Sequence, residues 1–105
     1  MDQIAFNEFV TNTILDTISA ILGPTVSNAY TKYLETHNGI YVNDLTNHLD
    51  VVSASLKASF GVGGGVLERA IVRTFYKKVG IELNEVAGRS IVDVVNGLRQ
   101  KLVIR

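Results

Sequence analysis

The stretch that decides the fold is Phe-Gly-Val-Gly-Gly-Gly-Val-Leu-Glu-Arg-Ala, which runs from Phe60 to Ala70. It holds four glycines within five positions: Gly61, Gly63, Gly64 and Gly65. Each glycine inside a helix costs about 1 kcal/mol relative to alanine, so the run predicts that one helix ends near Phe60. Apolar residues then recur at spacings of three and four from 66 to 79, which predicts a new helix. We therefore interpret residues 61–65 as a hinge between two helices.

A glycine-rich turn before a helix is also typical of phosphate-binding loops, whose backbone N–H groups contact the anion. This run lacks the Gly-Lys-Ser/Thr ending of the nucleotide-hydrolase loop. It has Val66 where the dinucleotide pattern G-x-G-x-x-G requires its third glycine, and no strand pattern precedes it. We expect a plain interhelical turn with close backbone packing, and the alternative is a contact to a small anion or ligand.

Three helices are expected before the hinge. The first, residues 2–22, is apolar around most of its circumference, and its polar side chains form one narrow line: Glu8, Asn12, Asp16 and Ser19. A helix with so wide an apolar arc is covered from more than one side, so we place it at the centre of the bundle or between two subunits. A left-handed Gly23 followed by Pro24 separates it from the second helix, and Gly39 ends that helix in a Schellman-type stop formed with Ile40. The third is expected from about Thr46 to Phe60.

Two helices are expected after the hinge. The fourth spans residues 66–79 and ends at Gly80. The fifth begins near Ser90, where Asp93 three residues later gives a start that resembles a capping box. The sequence therefore predicts an all-α single domain of about five helices, in which two helix-loop-helix units, 24–60 and 66–105, pack around the N-terminal helix.

The two predicted units share a sequence pattern. Residues 39–45, Gly-Ile-Tyr-Val-Asn-Asp-Leu, align with residues 80–86, Gly-Ile-Glu-Leu-Asn-Glu-Val, with like residues at six of seven places. Each segment follows a helix and is itself followed by Asp-Val-Val in the next helix. A duplicated unit explains this match, and the alternative is that glycine followed by an apolar residue is simply a common helix end.

Composition limits the classes of function. Hydrophobic residues make up 47% of the chain and charged residues 19%, the formal net charge is zero, and there is no cysteine. The lack of cysteine excludes disulfides, thiolate catalysis and thiolate-bound metals. Neutral charge gives no general attraction to nucleic acid or to an acidic membrane, and no apolar run approaches the about 20 residues that cross a bilayer. We expect a cytoplasmic protein whose excess of apolar residues serves a partner surface.

The histidines and carboxylates indicate no reaction. His37 lies at the end of the second helix, where a cation suits the helix dipole. His48 follows Asp44 by four residues, a spacing that could orient an imidazole or share a metal, but no third ligand is apparent. Glu8 and Asp16 lie on the polar line of the first helix, which we expect to face solvent. We therefore predict no catalytic residue, no metal and no cofactor.

The fourth helix carries an organised charge feature. Arg69, Arg73 and Lys77 are spaced by four and share the face opposite Ile71, with Tyr76 beside them. Such a row is typical of a surface that contacts phosphate, a nucleic-acid backbone or an acidic partner. The alternative is an ordinary solvated helix face.

The middle third of the chain resembles a family of small archaeal all-helical proteins without an assigned function. The residues that carry the resemblance are Phe-Gly-x-Gly at 60–63, Glu68, Ile71, and Phe-Tyr-Lys-Lys-Val-Gly-Ile at 75–81. The resemblance implies a helical fold and transfers no catalytic residue.

We expect a non-enzymatic regulatory or protein-interaction module that acts as a homodimer and makes no membrane contact. Two alternatives stay open. One is a nucleic-acid-binding regulator that uses the basic row of the fourth helix. The other is a small-ligand sensor with an apolar pocket between the helices, lined by Tyr30, Tyr33, Phe75 and Tyr76.

Overall fold

Five α-helices and a short 3₁₀ helix follow one another in the computed structural model, which describes residues 1–81 and 89–103. The helices are α1 (Gln3–Leu22), α2 (Pro24–Asn38), the 3₁₀ helix (Val42–Asn47), α3 (Leu49–Phe60), α4 (Val62–Val79) and α5 (Ile91–Leu102). These two described ranges contain no strand. The predicted all-α single-domain bundle is confirmed.

Helix α1 lies at the centre of the bundle, as predicted. It packs against α2, α4, α5 and the 3₁₀ helix. Four of its side chains, one per turn, are fully buried: Phe6, Val10, Ile14 and Ile18. The buried hydroxyls of Thr13 and Thr17 donate to the carbonyls of Phe9 at 2.7 Å and of Thr13 at 2.6 Å. Because those polar groups are satisfied within the helix, α1 can be buried on most sides, and its exposed line runs along Glu8, Asn12 and Asp16.

Glycines end α2 and α4 as predicted. Gly39 and Gly80 both adopt the left-handed conformation. The N–H of Ile81 donates to the carbonyl five residues earlier at 2.9 Å, which is the Schellman pattern. The N–H of Ile40 instead donates to the carbonyl of Leu34, six residues earlier, at 3.0 Å. The last turn of α2 is therefore wider than in the predicted Schellman-type stop. Most of the second copy of the proposed repeat, residues 82–86, lies outside the described residues.

The connection between α1 and α2 has a different geometry from these stops. Gly23 has φ +92° and ψ 158°, which is not the left-handed helical conformation predicted for it. This backbone region is almost restricted to glycine, and Pro24 then occupies the first turn of α2. The change of direction after α1 is therefore confirmed, with an extended rather than a helical glycine.

The predicted hinge at 61–65 is wrong in extent, because α4 begins at Val62 and not at Val66. Only Gly61, with φ +56°, separates α3 from α4. A Cβ atom at Gly64 would lie 2.3 Å from the carbonyl oxygen of Leu56, so the two helix backbones are in contact there. This packing needs glycine, and it offsets the low helix propensity on which the predicted loop was based.

The start of α3 also differs from the sequence prediction. Helix α3 begins at Leu49 rather than Thr46, because Val42–Asn47 forms the 3₁₀ helix and His48 breaks the helical path with φ −134°. The helix pairs with the most extensive contacts are α1 with α2 and α3 with α4. Helices α1 and α2 lie on either side of the start of the predicted unit 24–60. Helices α3 and α4 belong to two different predicted units, 24–60 and 66–105.

The chain buries a continuous apolar core of its own. Its largest fully buried side chains come from α1, α2, the 3₁₀ helix, α3, α4 and α5: Phe6, Val10, Ile14, Ile18, Leu34, Leu45, Val52, Leu56, Ile71, Val72, Phe75 and Ile91. Within the two described ranges, no helix combines the length and the apolar character that spanning a membrane requires. Several large apolar side chains remain on the surface in spite of this core: Met1, Ile4, Ile21, Leu22, Tyr41, Val62 and Val66.

Candidate functional site

The basic row of α4 lies on the surface, as predicted. Arg69, Arg73 and Lys77 are exposed, and Ile71 on the opposite face is fully buried. Among the residues that the structure describes, no carboxylate oxygen approaches these three cations within 4.0 Å. The row therefore presents three positive charges to solvent.

Tyr76 does not belong to this row. It is only 5% exposed, and its hydroxyl accepts a hydrogen bond from Nη1 of Arg89 at 3.4 Å. Successive side chains of a helix point about 100° apart, so Tyr76 faces the core although it is next to Lys77 in sequence. The predicted role of Tyr76 as a surface contact is wrong for this reason.

The four aromatic residues predicted to line an apolar pocket do not share one. Tyr30 and Phe75 are core residues like Tyr76, whereas Tyr33 stacks on His37 with ring centroids 4.4 Å apart. The hydroxyl of Tyr30 shares a 2.6 Å hydrogen bond with Ser55, and burial raises the pKa of Tyr30 to about 12. These residues stabilise the fold instead of forming a cavity.

The predicted His48–Asp44 contact is present. Nε2 of His48 lies 2.9 Å from Oδ2 of Asp44, and Asn47 donates to Oδ1 of the same carboxylate at 2.7 Å. These two contacts, that of Asn47 foremost, lower the pKa of Asp44. No group of three or more His, Asp or Glu side chains that could hold a metal occurs in residues 1–81 and 89–103. The pair is an exposed local contact at the end of the 3₁₀ helix.

The carboxylate of Glu68 is buried between helices. Its Oε2 accepts hydrogen bonds from the Ser53 hydroxyl at 2.6 Å and from the Ile91 N–H at 3.1 Å. Nζ of Lys57 lies 3.9 Å from the other oxygen. Glu68 therefore links α4 to α3 and to the N-terminus of α5, and sequence spacing gives no sign of these partners.

An apolar surface lies where the end of α1 meets the start of α4. Six residues line a shallow depression of about 370 Å³ there: Ile21, Leu22, Phe60, Gly63, Val66 and Leu67. Val62 lies one turn before Val66 and is 93% exposed. We call the surface residues of this region the end patch: Ile21, Leu22, Phe60, Val62, Gly63 and Val66. None of them carries a charge.

A larger groove lies towards the other end of α1. Its volume is about 620 Å³. Its lining comes from the first three turns of α1, from Glu35 near the end of α2, and from residues 41–43 at the start of the 3₁₀ helix. We call it the α1 groove, and its lining residues are Ile4, Asn7, Glu8, Thr11, Asn12, Glu35, Tyr41, Val42 and Asn43. Glu8 and Asp16 are both exposed, as predicted for the polar line of α1. The sequence did not show that Glu8 shares a groove with Glu35.

Comparison with protein-family models, with curated proteins and with solved structures found no match to this chain. The resemblance to the archaeal helical family therefore stays a prediction. The surfaces of this chain that could bind a partner are the end patch, the α1 groove and the basic row.

Proposed function

We propose that this protein is a non-enzymatic interaction module that works as a homodimer, and that two copies associate through the end patch. The observation that supports this proposal is a group of apolar side chains exposed together at one end of the bundle. Val62 is 93% exposed, Val66 53% and Ile21 50%. Scattered apolar residues are normal on a surface, but a contiguous group indicates a binding surface.

The end patch is not left over from an incomplete core. Within the chain, Phe6, Phe75 and Ile71 are already fully buried, and the half-buried Phe60 packs against the core from the edge of the patch. Burial of apolar surface contributes about 25 cal/mol per Å², so covering the patch by a partner is favourable.

A second copy of the chain is a suitable partner for this surface. In a two-fold symmetric contact the same patch of both copies is buried, so a patch with charges of one sign would bring like charges together. The end patch contains no charge, so self-association brings no like charges together. The exposed Gly63 has no side chain, and this allows the backbone of a second α4 to approach closely.

Sedimentation velocity on single variants tests this proposal. We expect the wild-type chain to be a dimer at tens of micromolar, and we expect Val66→Asp to sediment as a monomer because each copy would bury an unpaired carboxylate in the contact. Ile4→Asp is the matched control, since Ile4 is 74% exposed at the other end of α1. It should remain dimeric. A monomeric wild-type chain, or equal loss of dimer in both variants, contradicts the proposal.

The alternative of nucleic-acid binding has less support. Three exposed cations give a modest electrostatic attraction, and the chain as a whole is neutral. Tyr76, the aromatic side chain that would stack on a base beside these cations, is buried. The end patch therefore supports an interaction role better than the basic row supports nucleic-acid binding.

A further inference from the structure

We propose that the α1 groove binds a small organic cation with an apolar body, such as an alkyl or aryl amine. This site is separate from the end patch. Ile4 in the groove and Ile21 in the patch are 17 positions apart on one helix, which places them about 25 Å apart. The inference therefore goes beyond the proposed dimer and does not depend on it.

The charge of the ligand follows from the two walls of the groove. Glu8 comes from α1 and Glu35 from α2, and both line the same cavity. No lysine, arginine or histidine lines it, and in the described part of the chain no cationic nitrogen lies within 4.0 Å of either carboxylate. A cation that enters a groove lined by two carboxylates is attracted by both of them.

The floor of the groove provides an independent observation. Thr11 lines the groove and is only 8% exposed, yet its hydroxyl forms no hydrogen bond with any of the residues described. The neighbouring hydroxyls of Thr13 and Thr17 both donate to backbone carbonyls of α1. In the described part of the chain, the buried side-chain nitrogen or oxygen without a hydrogen-bond partner is Nε of Arg99, so the Thr11 oxygen is not fully enclosed. It is open to the groove that Thr11 lines, where its lone pairs are available to an ammonium group.

The apolar part of the ligand follows from the rim. Ile4 and Tyr41 are 74% and 61% exposed and line the same groove as the carboxylates. An aromatic ring such as that of Tyr41 attracts cations to its face and also covers apolar groups. A metal ion would gain nothing from these two side chains, whereas an amine with a hydrocarbon body contacts both the carboxylates and the rim.

Isothermal titration with 2-phenylethylamine and with its neutral counterpart 2-phenylethanol tests the charge requirement. We expect saturable binding of the amine at one site and binding of the alcohol at least about tenfold weaker, because a charge-assisted hydrogen bond is lost. No saturable binding of the amine up to about 10 mM, or equal binding of the alcohol, overturns the proposal.

Variants locate the binding site. Glu8→Gln and Glu35→Gln should each weaken amine binding about tenfold, and Thr11→Val by about threefold to tenfold, since each removes a polar partner. Asp16→Asn is the matched control, because Asp16 is an exposed carboxylate on α1 outside the groove. It should change binding by less than about twofold. An equal loss in Asp16→Asn would show only long-range attraction and would contradict a defined site.

A lysine side chain of another protein offers the same chemistry as a free amine. Titration with lysine acetylated at its α-amine and amidated at its carboxyl group distinguishes the two sources. Weaker binding of this derivative than of 2-phenylethylamine supports a small-molecule site. Tighter binding assigns the groove to a protein partner and overturns the small-molecule proposal.

Discussion

At Gly64 the backbones of α3 and α4 approach so closely that a methyl group does not fit. A Cβ atom there would lie 2.3 Å from the carbonyl oxygen of Leu56 and 2.7 Å from Cα of Lys57. Both neighbours are backbone atoms and cannot rotate away. We expect Gly64→Ala to lower the free energy of unfolding by about 1–3 kcal/mol, as overpacking does, although alanine favours helix more than glycine. Urea denaturation followed by circular dichroism measures this change.

Gly65→Ala is the control for Gly64→Ala. Gly65 lies in the same helical turn, and a Cβ atom there would meet only Nη1 of Arg69, at 3.7 Å. We expect it to raise the stability by about 0.5–1 kcal/mol, because alanine reduces the entropy of the unfolded chain. The two variants are compared at one protein concentration, since association changes apparent stability. Equal stability of both variants would show that the helices do not touch at Gly64.

Gly64 also explains why the predicted start of α4, at Val66, lies four residues after the observed one. Helix propensity counts each glycine in 63–65 as a cost, and nothing in the sequence records the position of Leu56 relative to that run. The contact between the two backbones exists only in the folded chain. A local rule therefore predicted a loop where tertiary packing forms the first turn of a helix.

At the scale of elements, α5 depends on a carboxylate from another helix. Glu68 accepts from the Ile91 N–H at 3.1 Å, and the Ser90–Asp93 capping box occupies the same helix end. We expect Glu68→Gln to cost about 1–3 kcal/mol of stability, because a buried donor loses its charged acceptor at a helix N-terminus. Chemical denaturation gives the change, and hydrogen exchange of the Ile91 amide should become faster.

Glu8→Gln is the matched control for Glu68→Gln. It makes the same chemical change on the exposed side of α1, where we expect the stability to change by no more than about 0.5 kcal/mol. If Glu68→Gln is as stable as this control, then Glu68 does not hold α5 in place.

Helix ends that depend on local signals were predictable. Gly39, Gly80 and Ser90 each mark a boundary within one or two residues of the observed one, because a cap is formed by residues adjacent in sequence. The basic row was predictable for the same reason, since it lies on one face of one helix. The extent of the 3₁₀ helix was not, because no capping or periodic signal separates it from α3.

The two candidate surfaces were not predictable, because each combines residues that are distant in sequence. The end patch joins Ile21 of α1 to Val66 of α4, and the α1 groove joins Glu8 to Glu35. The sequence has an excess of apolar residues and a wide apolar arc on α1. It does not record which of these side chains remain exposed together in the folded chain.

At the scale of the whole molecule, the central helix separates two surfaces of different chemistry. The end patch is uncharged and apolar, whereas the α1 groove is acidic with an apolar rim. The formal net charge is zero, so neither surface draws partners by the overall charge of the protein. The distance between the two surfaces along α1 lets a dimer formed at the end patch leave both grooves open.

Cross-linking through a single introduced thiol tests the dimer and its contact face together. The chain has no cysteine, so a thiol placed at Val62 reports on that position alone. We expect Val62→Cys, treated with a short bismaleimide at tens of micromolar, to give a covalent dimer on a denaturing gel, while Ile4→Cys stays monomeric. Cross-linking of both variants to the same extent, or of Ile4→Cys alone, would contradict association through the end patch.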